Sequence, residues 1–401
     1  MRELNNFERR TALLTLLKQK NIRELGVKAI FKFFNDFSRF KITKIDDMYV
    51  INSFYPPFPS ESFDRALYTL NHSEDCLLFA HVSITNKCNY DCQFCSNKHK
   101  QGGEMSLREV KNVIRRLKEK NIFMVGFTGG EPMLREDLPE IIKSVGRECV
   151  SYIYTSGCGF NEGRAKDLKD AGLFGVAVSF DSYIKEEHDL SRGFEGAFEN
   201  ALNAVKISKR FGFYTIAQII IGKNNINSVF EFLRFLKGIE VDEVRILEAY
   251  PCGGFIGNDK LILDEDERDF IRNVGFTANE RFDLPKVVSY NLIESGKCFG
   301  CFGGYNFVYV DANGELCPCD MTPLSFGNIL EEDFESVWKR MKEVFSKPNR
   351  ECFALKYADE IKVRFKGRLP LGYEDSKEIC RNYCPEEYPD YYMMMKNFHL
   401  G

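Results

Sequence analysis

A chain of 401 residues with 44% hydrophobic content is long enough for one large barrel of roughly 200–250 residues plus smaller appendages. Its formal charge of −4 gives no general attraction to polyanions, so no nucleic-acid partner is expected. No apolar run reaches the roughly 18 residues of a membrane-spanning helix, and the chain's start lacks the apolar core of a signal peptide. The fourteen cysteines fall in clusters and read as reduced metal ligands in a cytoplasmic protein rather than as a secreted disulfide scaffold.

Residues 8–20 and 23–40 have helical periodicity. In the second segment Val27, Ile30, Phe31 and Phe34 share one face, with Arg23, Lys28, Lys32 and Arg39 interspersed. Such a face packs on the rest of the protein or on another subunit, or lies on an anionic membrane surface. Residues 40–52 suit one hairpin, and Pro56-Pro-Phe-Pro59 marks a linker that closes an N-terminal extension over 1–79.

From 80 to 255 short β-rich runs alternate with amphipathic ones. Strands are predicted over 81–85, 123–127, 150–155, 174–180, 213–221 and 243–248. Helices are predicted over 106–119, 137–146, 162–171, 196–211 and 227–237. Six such units imply an α/β fold with a parallel sheet, as a full or partial barrel, whose active site lies at the C-terminal strand ends.

The loop after the first predicted strand holds Cys88, Cys92 and Cys95 in a Cys-x3-Cys-x2-Cys spacing. Three thiolates on one loop leave one iron of a four-iron cluster open to an exchangeable ligand, whereas electron-carrying clusters normally have every iron capped. A structural zinc site is the alternative, with His99 the one close fourth ligand, although such sites usually come as two Cys-x2-Cys pairs. One strand later comes Thr128-Gly-Gly-Glu-Pro132, whose paired glycines let backbone approach a ligand closely.

Together these motifs resemble the radical S-adenosylmethionine (SAM) enzymes, and the resemblance covers about residues 80–255. It implies a partial six-unit β/α barrel, a SAM-binding four-iron cluster on Cys88, Cys92 and Cys95, and a SAM amino group held by Gly129, Gly130 and Glu131. It further implies ribose and carboxylate contacts from Ser156, Ser179, Asp181 and Arg192. The family often has Asn where Ser156 stands. Ile219 and Ile221, with Leu247 and Ala249, would floor the adenine ring beside Phe94; packing in the core is their other reading.

Beyond residue 255 the alternation fades and seven cysteines gather: Cys298, Cys301, Cys317, Cys319, Cys352, Cys380 and Cys384. The stretch 301–319 reads as a hairpin around an Asn-Gly turn that brings Cys301 and Cys319 to one end of a ribbon. The Cys-x12-Gly-x4-Cys pattern resembles the SPASM and twitch extensions of radical SAM enzymes, implying a C-terminal domain over 256–401 with at least one auxiliary four-iron cluster. The ligands implied are Cys301, Cys319, Cys380 and Cys384. Cys298, Cys317 and Cys352 either serve a second cluster or are buried thiols. Cys76, Cys149, Cys158 and Cys252 read as structural, with Cys252 also placed to face a substrate.

The resulting expectation is an oxidoreductase that cleaves SAM to a 5′-deoxyadenosyl radical and takes hydrogen from a peptide or protein, fed by a low-potential donor such as flavodoxin or ferredoxin. A small molecule or lipid is the runner-up substrate, with membrane-surface contact through residues 23–40. A non-catalytic iron–sulfur or zinc scaffold is the alternative from another class. Peptide-modifying relatives often carry a leader-binding winged domain at the N-terminus, whose pattern of three strands with three helices is not evident here.

Overall fold

A computed structural model describes residues 2–4, 6–18, 40–72, 77–385 and 387–396. Residues 23–39 of the helix expected over 23–40, and Cys76, lie outside these residues, as does any membrane contact of that helix. Among the described residues no helix is long and apolar enough to cross a membrane.

Twelve strands are described: β1 (Arg2–Glu3), β2 (Thr43–Ile45), β3 (Met48–Val50), β4 (Phe79–Ser83), β5 (Met124–Thr128), β6 (Val150–Thr155), β7 (Gly175–Phe180), β8 (Tyr214–Ile221), β9 (Glu243–Glu248), β10 (Val287–Ser289), β11 (Phe307–Val310) and β12 (Leu316–Cys317). β4 to β9 pair in sequence order, all parallel, and are the six strands of the expected barrel. The sheet continues past residue 255. β10 adds in parallel to β9, β11 adds in parallel to β4 on the other side, and β12 pairs antiparallel with β11.

Helices cover the outer face, as parallel sheets require. Helix Leu107–Glu119 illustrates why they form: Val110, Val113, Ile114 and Leu117 fall on one buried face, and Ser106 caps the start in a reciprocal capping box with Glu109. Along each strand one parity enters this helix-covered core, including Val125, Phe127, Ile153, Val176, Val178, Ile219 and Ile246. The other parity points into the barrel and carries its polar side chains: His81 on β4, Tyr154 on β6, Gln218 on β8 and Arg245 on β9 line its interior.

The N-terminal region packs against the barrel. Ile45 and Val50 of the β2–β3 hairpin join Met124, Tyr152, Tyr214 and Ile216 in one buried cluster. Lys286 Nζ donates to Val50 O at 3.0 Å and Lys41 Nζ to Leu284 O at 2.6 Å. The expected hairpin is present with a third antiparallel strand, β1, which at two residues is too short to leave a periodicity. Phe54 then meets Phe79, Tyr290 and Phe302 in an aromatic cluster beside β10 and β11.

Candidate active site

The cysteine loop leaves the end of β4 and is pinned from two sides. Asp91 and Gln93 donate backbone N–H groups to Arg192 O and Ser191 O at 3.2 and 3.4 Å, and Gly254 N–H donates to Cys95 O at 3.0 Å. Tyr90 is stacked on Phe194 with ring centroids 4.6 Å apart, and its hydroxyl accepts from Asn200 at 2.8 Å. Cys88, Cys92 and Cys95 are free thiols that line one cavity of about 220 Å³ at the C-terminal strand ends. Burial, opposed by the Tyr90 N–H, pushes the Cys88 thiol up to about 11. Such a thiol ionises readily only when a cation arrives.

The Gly-Gly turn after β5 is stacked on the root of that loop. Gly130 N–H donates to Thr85 O at 2.7 Å and Glu131 N–H to Lys87 O at 2.8 Å. A Cβ on Gly130 would stand 2.0 Å from Lys87 O, and one on Gly129, which has φ +144°, 2.3 Å from Thr85 O. The demand for glycine therefore comes from the neighbouring loop, although both residues also line the cavity. Glu131 does not line it. Its buried carboxylate accepts from Met133 N–H at 3.1 Å, Thr155 Oγ1 at 2.8 Å, and Ser156 N–H and Oγ at 2.8 and 2.6 Å. It ties the β5 loop to the end of β6.

Ser156, Ser179, Arg192 and Phe94 line the cavity. Asp181 does not: its carboxylate is engaged by Arg192, whose Nη1 lies 3.8 Å from Cys92 Sγ and whose guanidinium carbon sits 5.3 Å from the Phe94 ring centroid. Arg192 closes helix Lys185–Arg192, which is not among the helices expected from the sequence. Ile219 and Ile221 take the core-packing reading rather than the adenine one. They belong to the helix-facing core, and the inward neighbour Ile220, with Gln218, lines the cavity. Leu247 and Ala249 do line it.

A second group of thiols faces the same cavity. Cys301, Cys319 and Cys352 line it together with Glu294 and Asp320. The backbones of Cys301 and Asn349 exchange hydrogen bonds of 2.8 and 2.9 Å, bringing the 349–352 segment alongside Cys301. A Cys352–Cys301 hydrogen bond then pulls the Cys301 thiol down to about 7, against the effect of burial, with further help from the Phe353 and Gly303 N–H groups. Cys380 and Cys384, expected beside Cys301 and Cys319, are elsewhere. Cys380 packs in the large core with burial alone raising its thiol to about 12, and Cys384 is exposed. Cys317 is buried, and neither it nor Cys298 lines the cavity. Cys252 faces the cavity, as anticipated for a substrate-facing position.

From Asp320 a chain of polar side chains runs along the cavity wall. Asp320 Oδ2 lies 3.2 Å from His81 Nδ1, His81 Nε2 lies 3.0 Å from Tyr154 Oη, and Arg245 donates to Tyr154 Oη and to Ser53 Oγ, each at 2.6 Å. Burial acts to raise the Asp320 carboxyl, but His81 and the Cys319 thiol outweigh it and leave it lowered. A wider polar cleft of about 770 Å³ opens alongside and shares Glu248, Glu294 and Cys352 with the inner cavity.

The profile of the Radical SAM superfamily matches residues 82–236, and that of an iron-sulfur cluster-binding domain, SPASM, matches residues 301–361. The chain belongs to the radical SAM superfamily. It is 25% identical over 270 residues to the PqqA peptide cyclase of Granulibacter bethesdensis, covering 64% of this chain and 72% of the relative. In fold it is similar to Streptococcus suis SuiB bound to the precursor peptide SuiA, with a TM-score of 0.57 at 15% identity over 80% of each chain. It is also similar to anSMEcpe with bound AdoMet, with a TM-score of 0.55 at 19% identity over 80% of this chain and 92% of that one.

As a radical SAM enzyme the protein works with a SAM-binding four-iron cluster and SAM, and its SPASM domain brings auxiliary iron–sulfur chemistry. Sequence reading of the radical SAM motifs found the cysteine loop and the glycine turn but missed His81, Tyr154, Arg245, Asp320 and Glu294. The available signal was parity: His81, Tyr154 and Arg245 interrupt apolar strand runs at inward positions, where a buried polar side chain needs a partner across the barrel.

Proposed function

We propose that this radical SAM enzyme modifies a peptide, with Cys88, Cys92 and Cys95 holding the SAM-binding cluster and the Cys301 group holding an auxiliary one. The observation that carries the reading is that both thiol groups line a single cavity. A substrate carbon placed between them is within reach of both. The relatives add support, since one is named a peptide cyclase and another is described with a precursor peptide bound.

The residues fit the cofactors. Three free thiols on one loop suit a cluster with one open iron, and Gly129 and Gly130 bring backbone to the cavity wall beside it. When bound, the reduced cluster supplies an electron that cleaves SAM, giving a 5′-deoxyadenosyl radical able to take hydrogen from an unactivated carbon. The protein's own part is placement. Arg192 sets a positive charge against the Cys92 side of the loop, Phe94 supplies an apolar ring, and Ser156 and Ser179 offer hydroxyls from the ends of β6 and β7. Asp181 and Glu131 act as positioning residues, the first on Arg192 and the second on the β5 turn. The domain limits near residues 79 and 255 are part of this proposal.

The outer cleft suits an extended peptide. Its wall mixes Arg268, Arg272 and Arg350 with Glu265, Asp269 and Asp359, a lining for polar backbone rather than for a lipid tail. The test is anaerobic reconstitution, reduction, and incubation with SAM and a pool of short peptides deuterated on carbon. Wild type should transfer deuterium into 5′-deoxyadenosine and yield a peptide lighter by two hydrogens, and Cys92→Ala should do neither. SAM cleavage without deuterium transfer from any peptide, but with transfer from a deuterated small molecule, would overturn the peptide reading.

A further inference from the structure

Glu294 stands at the junction of the inner cavity and the outer cleft, beside Cys301, Cys319 and Cys352, and none of the sequence motifs accounts for it. Its carboxylate accepts one hydrogen bond, from Tyr250 Oη at 3.2 Å. Cys301, Glu248 and Asp320 are among the groups whose negative charge opposes its own. Arg268, on the same cleft, is taken by Glu248 at 2.7 Å. A half-buried carboxylate that accepts one hydrogen bond and faces thiols is stabilised by a cationic group that shares its site.

The thiols beside it have the same need. Cys301 and Cys352 are in mutual contact, and Cys319 approaches from the other side of Gly303, whose added Cβ would meet Cys319 Cβ at 3.3 Å. Three thiols cap three irons of a four-iron cluster and leave the fourth. Of the other cysteines in this part of the chain, Cys298, Cys317, Cys380 and Cys384 do not line the cavity, and Cys252, which does, is turned toward the Met321 sulfur at 3.4 Å.

We propose that the auxiliary cluster is ligated by Cys301, Cys319 and Cys352, with Glu294 as an exchangeable oxygen ligand on its fourth iron. Three thiolates and one carboxylate bring the core the same ligand charge that four thiolates would. A carboxylate holds iron less firmly than a thiolate does. A substrate thiolate, amine or carboxylate entering from the outer cleft displaces Glu294 onto the Tyr250 hydroxyl, and the substrate is thereby fixed between the two clusters. The inference rests on the auxiliary cluster alone and needs neither a peptide nor turnover.

The test uses the full chain with Cys88, Cys92 and Cys95 changed to Ala, reconstituted with iron-57 and sulfide, so that only the auxiliary site reports. About four irons should remain, and Mössbauer spectra should resolve one iron distinct from the other three. Glu294→Cys should make the four alike, and Glu294→Ala should let added imidazole shift the electron paramagnetic resonance signal where the parent does not. A further Cys352→Ala change should release iron, and Cys380→Ala or Cys384→Ala should not. Four equivalent irons in the parent, or iron loss on changing Cys298, Cys380 or Cys384, would overturn the assignment. If the triple variant does not fold, the Glu294 and Cys380 arms are run in the native chain with SAM added to mark the other cluster. Failure here leaves the peptide reading standing, because deuterium transfer is measured separately.

Discussion

Arg192 grips Asp181 at two points, Nε to Oδ2 at 2.6 Å and Nη2 to Oδ1 at 2.7 Å, with both side chains at least nine-tenths buried. The pair turns what the sequence offered as two separate cofactor ligands into one unit. Only the remaining nitrogen, Nη1, faces the cysteine loop. Removing one partner of a buried ion pair leaves the other charge stranded, at a cost of about 3–5 kcal/mol. Asp181→Ala should lower the unfolding free energy by that amount in urea titration of the anaerobic protein. Arg192→Lys should recover little of it, since an ammonium cannot make the two-point contact.

Gly130 is the position where the two radical SAM motifs touch. Gly130→Ala must push the Lys87 carbonyl away, and with it the loop that carries Cys88. Overpacking of this kind costs about 1–3 kcal/mol, and each 1.4 kcal/mol corresponds to roughly tenfold in rate. Formation of 5′-deoxyadenosine should fall about tenfold or more. The spectrum of the Cys301 group, on a separate loop, should be unchanged.

His188 gives a pH signature. Its Nδ1 accepts the Asp181 N–H at 3.2 Å, and burial holds the ring's pKa down at about 4, although Asp181 pulls the other way. In the unfolded chain the same ring titrates near about 6.5. The stabilisation is therefore complete above that value and is lost as pH falls toward 4, where the folded form also takes up the proton. The full span is worth about 3 kcal/mol. Wild type should lose that much more stability than His188→Asn between these limits, measured by denaturant unfolding of the apoprotein.

Ile219 and Ile220 should separate cleanly. Ile219→Ala opens a hole in the helix-covered core and should cost about 2–5 kcal/mol of stability, with the KM for SAM unchanged. Ile220→Ala alters the cavity wall and should raise that KM at a smaller cost in stability. A raised KM for both would mean that strand parity does not divide core from cavity here.

Strand parity also shows where the sequence could be read and where it could not. The sixth strand, 243–248, matches its structural bounds because Glu243 and Glu248 close its apolar positions on both sides. β4 begins and ends two residues earlier than the pattern suggested, because the apolar run continues through Ile84 into the loop. In a strand buried on both faces, apolar residues carry no mark of which side they face, so Ile219 could not be told from Ile220. The cysteine loop was legible because its ligands are close in sequence. Cys352 was not, since its place beside Cys301 depends on a backbone bridge to Asn349 across nearly fifty residues of chain. Glu131 was found by its motif but misread, because a motif fixes a position and not the direction of the side chain.

The wall shared by the two hollows has a consequence for the safety of the reaction. Glu248, Glu294 and Cys352 border both the enclosed inner cavity and the open cleft. A peptide seated in the cleft as proposed would cover that shared border, and the substrate itself would there serve as a seal against solvent and stray hydrogen donors.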